Sequence, residues 1–293
     1  MARRWSALFS AALLQTSAAA PQPRLDLRVD GAWRAWRAWQ PDARAARDSL
    51  LARVIVWRDS APGLRVGDFD VRVTGGLIRN DIAVVEIDPA RFRFSLAATA
   101  PGARRTVGEL IGDSTAVFVS NTGLFRPDGS PQGLVLVDGV PGSALAGWLD
   151  VVVAIEDGRL RPTTIDGGRA LTAGASAFQV LPWLVRDGRI VFGTSSGVRL
   201  SRTHRDRRLT LCFGDDGLVR FALSNFSFLA RGAARVPIGL TIPEQAMVAA
   251  ALGCRDAIAL DGGISAQVAV RAGAVHRWPG FRRVPLLLVA HRR

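Results

Sequence analysis

Along most of this chain apolar residues alternate with polar ones in short runs, each bounded by Gly, Pro, Asp or Asn. A period of two cut by turn formers predicts strands. The pattern places them over 52–57, 69–74, 82–87, 91–97, 116–120, 133–137 and 209–213, with more short strands through 148–198. Two helices are announced by capping boxes, in which a Thr and a Glu three residues later satisfy each other's orphan backbone donors. One begins at Thr106-Val107-Gly108-Glu109 and ends near Gly112. The other begins at Thr241-Ile242-Pro243-Glu244, runs through Met247, Val248, Ala251 and Leu252, and stops at Gly253. Between that stop and a last hairpin near Gly273 lies 257–270, two apolar runs flanking Asp261-Gly262-Gly263. Asp-Gly is a strong hairpin signal, so this stretch reads first as strand, tight turn, strand. Seven other Asp-Gly pairs, beginning at Asp30, Asp128, Asp138, Asp157, Asp166, Asp187 and Asp216, make the same dipeptide ordinary here.

These elements predict an α+β fold, a β-rich single domain of mixed or antiparallel sheets with a few short helices. The expected boundaries are a secretory signal over 1–20, a Trp/Arg-rich lead-in over 21–48 and the main domain over 49–293. The signal rests on Arg3 and Arg4, a short apolar run and Ala18-Ala19-Ala20 as a cleavage site. The apolar run is too short to span a bilayer. A secreted or periplasmic protein with no stable membrane insertion after signal removal is expected. In the lead-in, Trp33, Trp36 and Trp39 recur every third residue, which suits either packing of an arm onto the domain or a stacking surface for sugars.

The 293 residues are 48% hydrophobic and 22% charged, ordinary for a globular chain, yet the formal charge is +13. Such a charge usually raises nucleic acid as a partner. Here all 38 basic residues are Arg, spread along the chain with no basic block, so nucleic acid is not expected. Cys212 and Cys254 could form one bridge in an oxidising compartment or stay as two buried thiols. No paired-His or Cys-pair spacing marks a metal, and no cofactor is expected, although Asp261 and Asn121 oxygens together could hold Ca²⁺ or Mg²⁺. Neither G-x-S-x-G nor a Walker loop is present, which argues against serine esterase and NTPase chemistry.

The order and spacing of several motifs resemble the phosphodiester glycosidase family over most of residues 57–270. Ile87-Asp88-Pro89, Asn121-Thr122-Gly123-Leu124-Phe125 and Asp128-Gly129 with Gly133-Leu134-Val135 carry the first half of the likeness. Arg202-Thr203, Gly239 to Glu244, Leu252-Gly253-Cys254 and Leu260 to Ser265 carry the second. The resemblance implies cleavage of a sugar 1-phosphodiester through an oxocarbenium-like transition state. It implies Asp261 as the carboxylate that stabilises this charge, where the bland reading is a turn aspartate. Arg202 is then the phosphate-binding guanidinium and Asn121 an orienting group, with a plain turn former as the alternative for Asn121. Gly123, Thr203, Gly262, Gly263 and Ser265 would line the substrate, and Gln179, which with Pro182 interrupts an otherwise buried run, is a further lining candidate. The expected ligand is a carbohydrate or sugar phosphate.

The chain departs from the pattern at Thr122, Leu124 and Ile264, and at His204-Arg205-Asp206-Arg207-Arg208, which is far more polar than the family's usual A-I-G. His204 reads as a surface histidine or a general acid. These differences bear on substrate more than on fold. A second reading of the same fold is a non-catalytic glycan-binding or exopolysaccharide-assembly protein.

Overall fold

Four of the eight Asp-Gly pairs hold both residues at positive φ: Asp30-Gly31 (49° and 80°), Asp138-Gly139, Asp157-Gly158 and Asp187-Gly188. Each joins two neighbouring antiparallel strands through a two-residue turn whose twist matches theirs. Repetition of this device, and of longer loops, produces twenty strands among the described residues. The computed structural model describes residues 22–100, 102–112, 115–194, 197–226 and 239–293. The expected signal over 1–20 lies outside them.

The strands form three antiparallel sheets. The largest, of ten strands, runs from Arg189–Ile190 through Trp183–Arg186, Cys254–Ala259, Leu209–Gly214, Val219–Phe226, Arg79–Ile87, Leu64–Val73 and Arg24–Val29 to Ala32–Ala38, with Val56–Ala61 also paired to Leu64–Val73. A five-stranded sheet orders Arg159–Thr163, Val151–Glu156, Ser176–Val180, Val135–Val137 and Val140–Ser143. The other orders Val275–Trp278, Val268–Arg271, Phe118–Asn121, Leu286–Arg292 and Phe92–Ala98.

One face from each sheet meets in a common core that includes Val66, Val85, Phe221 and Ile258 from the large sheet, Val153 and Phe178 from the second, and Phe94, Phe118 and Leu288 from the third. The opposite face of the large sheet carries Phe69, Ile82, Val84 and Ala222 against the helix Ile242–Ala251 and Trp39. Strand Arg79–Ile87 is therefore covered on both faces, which explains why I-A-V-V-E-I shows little alternation. A third cluster packs the helix Val107–Gly112 on the outer face of the third sheet.

Both capping boxes form as the sequence predicts: Thr106 N–H donates to Glu109 (2.8 Å), and Glu244 N–H donates back to Thr241, whose own N–H donates to Glu244. Gly253, at φ 77°, ends the second helix. The strand expected over 52–57 is instead the helix Ser49–Val54 followed by the strand Val56–Ala61. Asp48 decides this, since its carboxylate accepts from Leu50 and Leu51 N–H and caps the turn. Among the described residues there are four α-helices, and only Ile242–Ala251 exceeds six residues. The chain is accordingly β-rich, and the α+β label overstates its helices.

The lead-in is the antiparallel pair Arg24–Val29 and Ala32–Ala38 at one edge of the large sheet. Trp39 is buried, Trp36 Nε1 donates to Asp48 (3.1 Å), and the Arg72 guanidinium lies 4.7 Å from the Trp33 ring centre. Cys212 and Cys254, on neighbouring strands with Cα atoms 5.4 Å apart, form a disulfide, which settles the two readings left open by the sequence.

Candidate functional site

Asp261-Gly262 does not make a hairpin. Strand Cys254–Ala259 lies inside the ten-stranded sheet, whereas Val268–Arg271, which follows it, pairs with Phe118–Asn121 in another sheet. The intervening loop, with a 3₁₀ turn at Gly263–Ser265, carries the chain from one sheet to the other. Loops positioned by rigid strands are the usual place for chemistry.

Asn121 holds this loop at both ends. Its Nδ2 donates to the Asp261 carbonyl (2.7 Å) and its Oδ1 accepts from Gln267 N–H (2.9 Å). The Asp261 N–H donates to the Thr122 carbonyl (2.9 Å). A third clasp joins Gly263 N–H to the Arg207 carbonyl (2.8 Å), with Gly263 at φ 60°. A Cβ at Gly262 would lie 2.8 Å from that same carbonyl, so the close approach of residue 207 requires glycine there.

The Asp261 side chain is half-buried, and its carboxyl is pushed up to about 7. Burial is the main cause, and the negative charge of Asp206 adds to it; the Ser265 hydroxyl, the Arg282 charge and the Gly262 N–H oppose it. Asp206 is lodged against the same turn, since a Cβ at Gly263 would come within 2.8 Å of its Oδ2. Its Oδ1 accepts from Arg207 N–H (2.9 Å), and its Oδ2 lies 3.5 Å from His204 Nε2. Arg207 is buried with neutral partners, Asn225 Oδ1 and the Pro279 carbonyl, and burial draws its guanidinium down to about 10. Arg208 is lowered by burial too; it donates to the carbonyls of Leu240 (2.9 Å) and His204 (2.8 Å), while Nη1 lies 4.0 Å from where a Gly262 Cβ would stand. Arg282 sits over the Phe125 ring at 4.9 Å. A carboxyl that changes charge near neutrality thus stands beside a hydroxyl, with Arg208 and Arg282 close by to receive an anion.

Of the residues expected from the sequence, Asp261, Asn121, Gly262, Gly263 and Ser265 meet here. The Gly263 N–H and both polar atoms of the Asn121 amide are spent on the protein, so their contribution is to loop position. Arg202 and Thr203 line a cleft of about 640 Å³ with Arg24, Thr74 and Glu244, and Arg202 lies over the Phe192 (4.5 Å) and Trp39 (5.7 Å) rings. Gln179 is buried; its Oε1 accepts from Leu134 and Ala146 N–H and its Nε2 donates to the carbonyls of Ala146 and Leu149, leaving the amide no reach to a ligand. Gly123 packs on the Gln179 carbonyl, which a Cβ would meet at 2.5 Å. Among the described residues no three His, Cys, Asp or Glu groups gather as a metal site.

The residues not expected were Asp206, Arg208 and Arg282. A signal for the first two was present, because His204 to Arg208 leads directly into the strand Leu209–Gly214 that pairs with the strand entering Asp261. Arg282 had none, lying in a loop joined to the site only through tertiary contact.

No curated protein matches the chain. Among solved structures, the zebrafish N-acetylglucosamine-1-phosphodiester alpha-N-acetylglucosaminidase catalytic domain, auto-inhibited by its pro-peptide, superposes with a TM-score of 0.57 at 16% identity, over 88% of this chain and 96% of that one. A hypothetical protein from Synechocystis gives 0.56 at 14% identity over 80% of this chain, which spans 63% of that protein. A Burkholderia pseudomallei protein described as exported gives 0.54 at 16% identity, over 75% of this chain and 76% of that one. At such identities these likenesses concern the fold. The sequence profile of the phosphodiester glycosidases matches residues 114–290, more than half of the chain and inclusive of Asn121, Arg208 and Asp261, and the protein belongs to the phosphodiester glycosidase family.

Proposed function

We propose that this protein is a glycosidase that hydrolyses a sugar 1-phosphodiester outside the cytoplasm. The observation that carries the reading is the Asp261 carboxyl, which changes charge near pH 7 beside Ser265, with Arg208 and Arg282 close to the same loop. In the reaction the bond from C1 to the phosphoryl oxygen breaks, and its electron pair leaves with the phosphate monoester. Water supplies the hydroxyl at C1 and gives its proton to the solvent or the leaving group. Ionised Asp261 stabilises the positive charge that develops at C1. The guanidiniums take up the charge of the departing phosphate, which needs little further protonation.

Export is supported by the signal pattern over 1–20 and by the Cys212–Cys254 bridge, a bond that persists in oxidising compartments. No helix among the described residues is long and apolar enough to cross a membrane. The first substrates to assay are N-acetylglucosamine 1-phosphodiesters, the class for which the zebrafish enzyme is named. Release of free sugar and phosphate monoester by the wild type, lost in Asp261→Asn with the fold intact by circular dichroism, supports the reading. Glycan binding without cleavage of any phosphodiester in a panel overturns it in favour of a non-catalytic glycan-binding protein. That second reading has less support, because the tryptophans it would use as a sugar surface are engaged by Arg72, Asp48 and the core.

A further inference from the structure

Single apolar side chains on a surface are ordinary, whereas several together mark a place of contact. Among the described residues seven large hydrophobics are exposed, and two of them, Ile264 (46%) and Phe281 (56%), belong to backbone segments that are joined close to Asp261. The Phe281 N–H donates to the Ile264 carbonyl at 2.8 Å, and the Arg282 N–H donates to the same oxygen at 3.1 Å. A Cβ at Gly280 would stand 3.2 Å from the carbonyls of Ile264 and Ser265, so the 280–282 segment lies directly on the Asp261 loop. That loop is pinned by the Asn121, Thr122 and Arg207 bonds, and the outward aim of Ile264 is therefore built in. Nothing in the core explains an apolar residue here, three positions after Asp261. Charges of both signs stand beside the pair: Arg282 adjoins Phe281 and Arg208 reaches toward Gly262, while the Asp206 carboxylate lies against Gly263 on the Asp261 side of the pair.

We propose that Ile264 and Phe281 form an apolar lip that binds the leaving-group side of the substrate, so that this enzyme prefers phosphodiesters carrying an alkyl or aryl chain directly beyond the phosphate. The inference rests on the assignment of Asp261 as the centre of a sugar 1-phosphodiester glycosidase. An amphipathic leaving group satisfies both parts of the surface at once, its phosphate meeting the guanidiniums and its chain covering the lip. A wholly hydrophilic leaving group would leave both side chains in water.

The test compares the methyl and hexyl phosphodiesters of N-acetylglucosamine 1-phosphate with wild type, Ile264→Ser, Phe281→Ala and a control, Leu77→Ser, whose side chain is exposed elsewhere. The wild type is expected to favour the hexyl ester in kcat/KM by about tenfold or more, the scale of one or two methylenes in an apolar contact. The two lip variants are expected to lose most of that ratio and Leu77→Ser to keep it. Reading a ratio within each variant cancels differences in the folded fraction. Equal rates on the two esters in the wild type, or an unchanged ratio in both lip variants, overturn the proposal while leaving the glycosidase reading in place. If neither ester is cleaved, the glycosidase reading is what fails, and calorimetric affinities of hexyl and methyl phosphate judge the lip alone: equal affinities overturn it. A concentration-dependent dimer abolished by the lip substitutions would instead make this surface an interface between copies of the chain, and also overturns it.

Discussion

At the scale of single residues, the central tension is that Asp261 is stationed where its charged form is disfavoured. Its folded-state carboxyl holds a proton up to about 7, against 3.8 when unperturbed. The folded state therefore binds more protons than the unfolded state between these values, and stability falls as pH rises from about 4 through 7. Asp261→Asn removes that cost. The variant is expected to melt higher than wild type at pH 8, with the gap closing toward pH 4; the net shift, in which the Ser265 hydroxyl and the Arg282 charge already count, caps the effect at about 4 kcal/mol. Thermal melts at the two pH values check this, and a variant less stable at pH 8 contradicts the picture of a strained carboxyl. Two arginines make a second contrast. Arg208→Ala should raise KM for a phosphodiester by about tenfold or more through loss of a charged hydrogen-bond donor, whereas Arg202→Ala, whose guanidinium lies over the Phe192 and Trp39 rings, should change KM much less; comparable effects would place Arg202 at the substrate.

At the scale of elements, the site depends on how one loop is clasped. Asn121→Ala removes two hydrogen bonds that tie the ends of the Asp261 loop and leaves a buried carbonyl and N–H unsatisfied. A loss of about 1–3 kcal/mol in urea unfolding is expected, with reduced activity because the loop shifts. Wild-type stability would show that these bonds are dispensable. Sequence legibility also divides at this scale. Capping boxes and Asp-Gly hairpins were readable because their geometry is set by adjacent residues, as at Thr241 to Glu244 and Asp157-Gly158. Asp261-Gly262 was misread as a hairpin because the partners of its two flanking strands are remote in the chain. Ser49–Val54 was misread because one capping carboxylate outweighed an apolar run that suits either state. Arg202 was placed by likeness to a motif and Gln179 by its interruption of a buried run, while their actual contacts come from rings and carbonyls that local sequence does not reveal.

At the scale of the whole molecule, three antiparallel sheets share one core, and the loop that passes between two of them holds the proposed site. The disulfide stiffens this arrangement at its source. It ties the strand Leu209–Gly214, which follows the Asp206–Arg208 segment, to the strand that delivers Asp261, across a sequence separation of 42 residues. Reduction or a double Cys212→Ala, Cys254→Ala change is expected to cost about 2–4 kcal/mol, read as a lower melting temperature under reducing conditions; an unchanged melt would mean the bridge adds nothing to the fold. The β-rich class was legible across the chain because alternation survives in most strands. The division into three sheets was not, since pairing order is fixed by burial on two faces, as in Arg79–Ile87, where the alternation disappears.

Whether ionised Asp261 supports cleavage of a sugar 1-phosphodiester is decided by the pH dependence of sugar release by wild type and Asp261→Asn. Wild-type kcat/KM is expected to rise as pH passes through about 7, as the carboxyl loses its proton, and the variant to fall about 10²-fold or more below it above that pH, with the gap narrowing as pH falls. A variant that releases sugar at the wild-type rate with the same pH profile would contradict that role of Asp261.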